Sequence, residues 1–284
     1  MKKMMLIGGK GLLGANIVPI LDKTYDLIIC DIDTWDITDR ASGEGHIEKY
    51  RPDVLINLAA ITDVDGCEDT KKEPAERING YGAGLIADLC REHNIRFVHI
   101  STDYVFDGTK TLPYKENDPP NPVSVYGTTK LMGERAVMEK NPSSLIIRAQ
   151  WLYGKGGENF ITKVVKIAKQ SGTVRVVNDQ KGSPTYAKDL AEPLIALIEK
   201  GKTGIYHLAN SGSCTWFEFA GEIFRLLEID TAIIPISSAE LERKAPRPSY
   251  SVFDMWKYQK DTGLKMRPWQ EALREYLAMT GARV

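Results

Sequence analysis

The chain has little that would make it a metalloprotein, a disulfide scaffold or a nucleic-acid binder. Its four cysteines, Cys30, Cys67, Cys90 and Cys214, contain no Cys-x-x-Cys pair, so free thiols in a reducing, cytoplasmic compartment are expected. The four histidines, His46, His93, His99 and His207, lack metal-ligand spacing, and no structural zinc is assigned. Charge of one sign is missing as well. With 37 basic and 38 acidic residues the formal charge is −1, which leaves no field to draw the protein to nucleic acid or to a membrane surface. The apolar run Met4 to Ile7 stops at Gly8 after four residues, far short of a bilayer span. Nothing at the N-terminus reads as a signal peptide, and no repeat, low-complexity tract or flexible linker is found.

What is present is ample apolar material, 43% of 284 residues, enough for one large domain or two joined lobes. Short apolar runs alternate with helical stretches through the first half, the pattern of an α/β, doubly wound parallel (Rossmann) sheet covered on both faces. Strands are read at Met4 to Gly8, Asp26 to Asp31, Val54 to Leu58, Arg96 to Ser101 and Ser144 to Arg148. Helices are expected to begin near Gly11, Gly43, Pro74 and Pro122, the prolines sitting in first turns. Residues 1–150 are expected to form the dinucleotide-binding part, its sheet extended by strands at Val174 to Val177 and Ile205 to Leu208. Residues 151–284 are expected to form a smaller, interleaved substrate-binding lobe, with helices near 159–170, 188–200, 216–227, 253–262 and 268–279.

The segment Gly8-Gly9-Lys10-Gly11-Leu12-Leu13-Gly14 follows the first strand directly and opens a helix. Glycines there allow a tight turn and a close approach of backbone to a pyrophosphate, which the free N–H groups of the helix start then meet. Asp31 lies 17 residues beyond Gly14, near the offset of an acid that holds ribose hydroxyls. An acid there favours NADH over NADPH, with Lys10 able to offset its charge. Asp36 and Ile37 sit where a loop passes the adenine, although Asp36 and Asp39 are equally readable as helix caps. Ala59 and Ala60 close the third strand with small side chains, leaving room in the crevice.

Ser101-Thr102-Asp103-Tyr104 ends another strand, and Tyr126 and Lys130 follow with i,i+4 spacing. A phenol titrates near ~10 unaided, so it donates a proton at neutral pH only when its phenolate is stabilised. Lys130 on the same helix face does that by coulombic attraction and keeps N–H groups free for a ribose hydroxyl. Thr102 would hydrogen-bond a substrate carbonyl and Tyr126 would protonate the developing alkoxide. Asp103 is read as an orienting acid or a turn residue.

Together these residues resemble the extended short-chain dehydrogenase/reductases, and longer strings narrow the likeness to the dTDP-4-dehydrorhamnose reductase family. They are Ala59 to Asp65, Thr102-Asp103-Tyr104-Val105-Phe106-Asp107-Gly108, Tyr126 to Lys130, Arg148 to Gly154, Asp179 to Thr185 and Arg247-Pro248. The resemblance implies reduction of the 4-keto group of dTDP-4-dehydro-L-rhamnose by NADPH or NADH, for polysaccharide biosynthesis. It implies that Thr62, Val64, Thr102, Asp103 and Trp151 contact the nucleotide-sugar. Arg247 suits a diphosphate, since a guanidinium grips two oxygens at once. Read from residues alone, Trp151 fits a core aromatic equally well, and Arg247 a surface salt bridge. Ala149-Gln150, Tyr186 and Tyr250 depart from the family pattern. Some members dimerise through magnesium held by acidic residues; a homodimer is therefore an expectation, with no magnesium ligands assigned. A non-catalytic, NADP-binding regulatory subunit and a nucleotide-sugar epimerase or dehydratase are the alternatives.

Overall fold

A computed structural model describes residues 1–280. Its central sheet has six parallel strands: β1 (Lys3–Ile7), β2 (Asp26–Cys30), β3 (Val54–Asn57), β4 (Arg96–Thr102), β5 (Leu145–Ala149) and a last strand Gly204–Leu208. In space β1 lies between β2 and β3, followed by β4, β5 and the last strand. The chain therefore leaves β1 toward both sides, and the crevice opens at the carboxyl ends of β1 and β3.

Both faces of the sheet are covered, which explains the unbroken apolar runs. Met4 and Leu6 enter a core with Ile17, Leu21 and Leu194, while Met5 and Ile7 enter the opposite core with Trp35, Ile86 and Leu89. Each such side chain contributes about 2 kcal/mol by leaving water. A third core gathers Ile161, Val164, Phe219, Ile223, Leu273 and Tyr276 in the C-terminal part. Among the described residues no helix is long and apolar enough to cross a membrane.

Five expectations are corrected. The strand Thr173–Val177 does not extend the main sheet; it pairs with Ala232–Ile236 in a separate two-stranded sheet, because an apolar run carries no record of its partner. Pro122 lies outside its helix, Val125–Lys140, which Ser124 caps by accepting from the Gly127 N–H. The helix expected from Gly43 starts at Arg40, capped by Asp39, and Phe253 lies before its helix, Trp256–Thr262. Pro74 falls inside a single turn, Lys72–Ala75, that runs into a π-helix at Glu76–Gly82 and then the helix Ala83–Glu92.

Candidate active site

The glycine turn brings β1, β3 and α1 (Leu12–Leu21) into contact. Gly8 has φ of +76°, and a Cβ on it would lie 2.7 Å from the Ala59 nitrogen. A Cβ on Gly14 would lie 2.1 Å from the Gly9 carbonyl oxygen, whereas one on Gly11 would meet only the Gly8 oxygen, at 3.3 Å. Space is thus kept open at Gly11, which precedes α1 and offers no capping side chain to the first-turn N–H groups. Those groups and the positive end of the helix suit a diphosphate. Leu12 and Leu13 put their side chains into the core, leaving their backbone N–H groups at the turn.

Beside the turn is a cavity of about 320 Å³. Gly8, Gly11, Asp31, Asp36, Ile37, Ala59 and Ala60, all singled out from sequence, line it, together with Trp35, Ile61 and Ile78, which were not. Asp31 accepts from the backbone N–H groups of Lys10 at 3.0 Å and Ile32 at 2.9 Å. The Lys10 ammonium turns to Asp33 at 2.5 Å rather than to Asp31. Asp36 accepts from the Thr38 N–H and hydroxyl, so it shapes the loop and does not cap the helix.

Thr102 ends β4, where a 3₁₀ turn, Asp103–Val105, begins. Its hydroxyl donates to Asp103 Oδ1 at 3.1 Å and accepts from the Tyr104 N–H at 3.3 Å. The helix bearing Tyr126 comes very close to this turn, since a Cβ on Gly127 would lie 2.2 Å from the Tyr104 carbonyl oxygen. That approach seats Tyr126 beside the turn, with the Tyr104 ring edge-on to it at 5.4 Å. Burial raises the Tyr126 phenol well above its usual range, and the Thr102 hydroxyl acts in the opposite direction.

Lys130 does share the Tyr126 helix, but its ammonium donates to the Ile100 carbonyl at 2.6 Å. No hydrogen bond joins the Tyr126 phenol to that ammonium among the described residues. Burial pulls Lys130 down to about 8, with the nearby Glu134 carboxylate opposing the shift. Burial likewise pushes Asp103 up to about 6, against the hydrogen bond from Thr102. Asp103 Oδ2 has no hydrogen-bond partner. A buried carboxyl with one free oxygen, beside the two hydroxyls, is fitted to orient a polar substrate.

The residues taken from the resemblance fall on three elements. Val64 opens a one-turn helix and packs with Cys67, Tyr104 and Tyr126, while Thr62 is exposed in the preceding loop. Trp151 has φ of +48° and stacks on Trp216, ring centres 3.5 Å apart. Arg247 is held by Asp65, at 3.1 and 2.7 Å, and donates to the Ala245 carbonyl at 2.6 Å. Among the described residues no group of three or more His, Cys, Asp or Glu side chains is arranged to hold a metal ion.

One further contributor, Asn79, escaped the sequence reading. Asn79, in the π-helix, accepts from the Ile61 N–H at 2.8 Å and donates to the Ile61 carbonyl at 3.0 Å and the Thr129 hydroxyl at 3.0 Å. It ties the cavity wall to the Tyr126 helix, and nothing in the charged and glycine-bearing stretch around it marked it out.

The description "RmlD substrate binding domain" fits a family model that matches residues 1–281. The chain is 42% identical to the spore coat polysaccharide biosynthesis protein SpsK of Bacillus subtilis, covering 98% of this chain and 97% of that one. It is 41% identical to a dTDP-4-dehydrorhamnose reductase of Streptomyces griseus, over 96% and 92% of the two chains. Its structure is similar to that of dTDP-4-dehydrorhamnose reductase from Bacillus anthracis in complex with NADP, with a TM-score of 0.95, 36% identity and coverage of 98% and 100%. A glycine turn, hydroxyl-bearing strand end and Tyr126–Lys130 helix on one crevice, with likeness of this extent along the sequence, place the chain in the RmlD family of dTDP-4-dehydrorhamnose reductases.

Proposed function

We propose that the chain reduces the 4-keto group of dTDP-4-dehydro-L-rhamnose to give dTDP-L-rhamnose for polysaccharide biosynthesis, using NADPH or NADH. The observation that carries this reading is the gathering of buried Thr102, Asp103 and Tyr126 where the Tyr126 helix closes on the end of β4. They lie on the same sheet edge as the glycine turn and the Ala59-Ala60 step. The reductases among its relatives support it.

Bound in the crevice, the reduced nicotinamide supplies a hydride to the carbonyl carbon. Thr102 donates to the carbonyl oxygen, and Tyr126 passes its proton to that oxygen as negative charge develops there. The Lys130 ammonium steadies the resulting phenolate and holds a ribose hydroxyl. Asp103, through its unpartnered oxygen, orients a sugar hydroxyl. Gly8, Gly11, Gly14 and the N–H groups of Leu12 and Leu13 hold the diphosphate, with Lys10, Asp31, Asp36, Ile37, Ala59 and Ala60 around the adenosine. Residues 1–150 serve the dinucleotide; residues 151–284 supply the sugar-nucleotide side through Trp151 and Arg247, opposite Thr62 and Val64. A second copy of the chain as partner and a cytoplasmic location complete the proposal.

The test is to mix purified protein with dTDP-4-dehydro-L-rhamnose and NADPH or NADH and follow dinucleotide absorbance and product. One dinucleotide oxidised per dTDP-L-rhamnose formed is expected. A bound dinucleotide with no net oxidation would instead support a regulatory or an epimerase-type role.

A further inference from the structure

We propose that Glu134 is a positioning residue for the reduction, fastening the strand end that carries Thr102 to the helix that carries Tyr126 and Lys130. The inference rests on reading those three residues as the reacting set. Glu134 lies one turn beyond Lys130 on the same helix. Its Oε1 accepts from the Ser101 hydroxyl at 2.5 Å and from Arg148 Nε at 2.8 Å, and its Oε2 accepts from Arg148 Nη2 at 2.7 Å. Ser101 and Arg148 are register partners on β4 and β5, and Ser101 immediately precedes Thr102. One carboxylate therefore joins two strands and the helix just beneath the reacting groups.

Arg148 is itself held from the other side. His207 on the last strand is its register partner, with Nδ1 3.1 Å from the Tyr114 carbonyl and Nε2 3.4 Å from Arg148 Nη1. Nδ1 thus carries the hydrogen, and Nε2 is left to accept from the guanidinium. The Phe106 ring lies 5.0 Å from Arg148 Cζ. Arg148 and Glu134 are 1% and 3% exposed. Apolar residues of similar volume often stabilise a core as well as a buried ion pair does, so stability alone gives little reason for the pair to be here.

The groups facing Lys130 are Glu134 on its own helix and His99 on β4, with Arg148 on β5 behind Glu134. Glu134 is the negative charge among them that favours the ammonium. Its removal leaves Arg148 uncompensated, so both changes favour the neutral amine.

Glu134→Gln in the full-length protein is expected to lower kcat about tenfold near neutral pH, leaving KM and dinucleotide Kd near wild type. The alkaline fall of kcat should move to lower pH by about half a unit or more. Ser101→Ala removes one bond without stranding a charge, and an approximately threefold loss of kcat at unchanged melting temperature is expected. A folded Glu134→Gln variant with wild-type kcat and an unmoved alkaline limb overturns the proposal. If that variant does not fold, Ser101→Ala decides alone, and wild-type kcat in it overturns the proposal. Absence of turnover in the wild-type protein overturns the reading of the reacting set, and this inference with it.

Discussion

Arg247 grips Asp65 with both arms of its guanidinium, at 3.1 and 2.7 Å, joining residues 182 positions apart in the chain. Asp65 also accepts from the Ala245 N–H at 3.0 Å, so the segment 245–247 is bound to the loop after β3. This holds Arg247 beside Tyr104, with its Nε hydrogen and one Nη2 hydrogen not taken up by Asp65 or Ala245.

Asp65→Ala should release that segment and leave Arg247 less well placed for the nucleotide-sugar. KM for the sugar is expected to rise about tenfold, roughly 1.4 kcal/mol, with kcat and dinucleotide Kd little changed. Steady-state kinetics with separate dinucleotide titration checks this; an unchanged KM removes Arg247 from substrate binding.

Tyr126→Phe removes the proton donor and little volume. Turnover should fall about 10²-fold or more, with dinucleotide affinity retained. Equal turnover in the variant would take the phenol out of the reaction.

The pH dependence follows from Lys130, which burial pulls down to about 8. Its working form is the cation, present below that value and lost as pH rises through it. The kcat is therefore expected to fall above about pH 8, toward tenfold per unit, in a profile taken over roughly pH 6 to 10. A kcat that instead rises through this range would mean the neutral amine is the active form.

Gly11 and Gly14 should respond in opposite ways to alanine. At Gly14 the methyl would meet the Gly9 carbonyl at 2.1 Å, so Gly14→Ala should lower the melting temperature markedly. At Gly11 the nearest neighbour is at 3.3 Å, so Gly11→Ala should fold normally and bind the dinucleotide about tenfold or more weakly, its methyl filling the diphosphate space. Calorimetry and dinucleotide titration of both variants separate the effects.

The strand, glycine turn and helix at residues 3–21 were legible because each is a local pattern, and so was the 126–130 helix face. What could not be read was partnership across distance. Thr173–Val177 has the composition of a main-sheet strand, yet its partner is Ala232–Ile236. Nothing in Trp151 announces Trp216, and nothing in Arg247 announces Asp65. Lys130 shows a further limit: i,i+4 spacing put it on the correct face, but its bond to the Ile100 carbonyl depends on how closely the helix settles on β4.

The last strand of the main sheet comes from residues 204–208 and lies against β5, more than fifty residues after β5 ends. Until a growing polypeptide has emerged beyond Leu208, β5 has one side bare, a template for wrong pairing between neighbouring nascent molecules. Cutting the gene near codon 150 would leave that side permanently uncovered, so the dinucleotide-holding half should aggregate when made alone and recover only when the remainder is supplied.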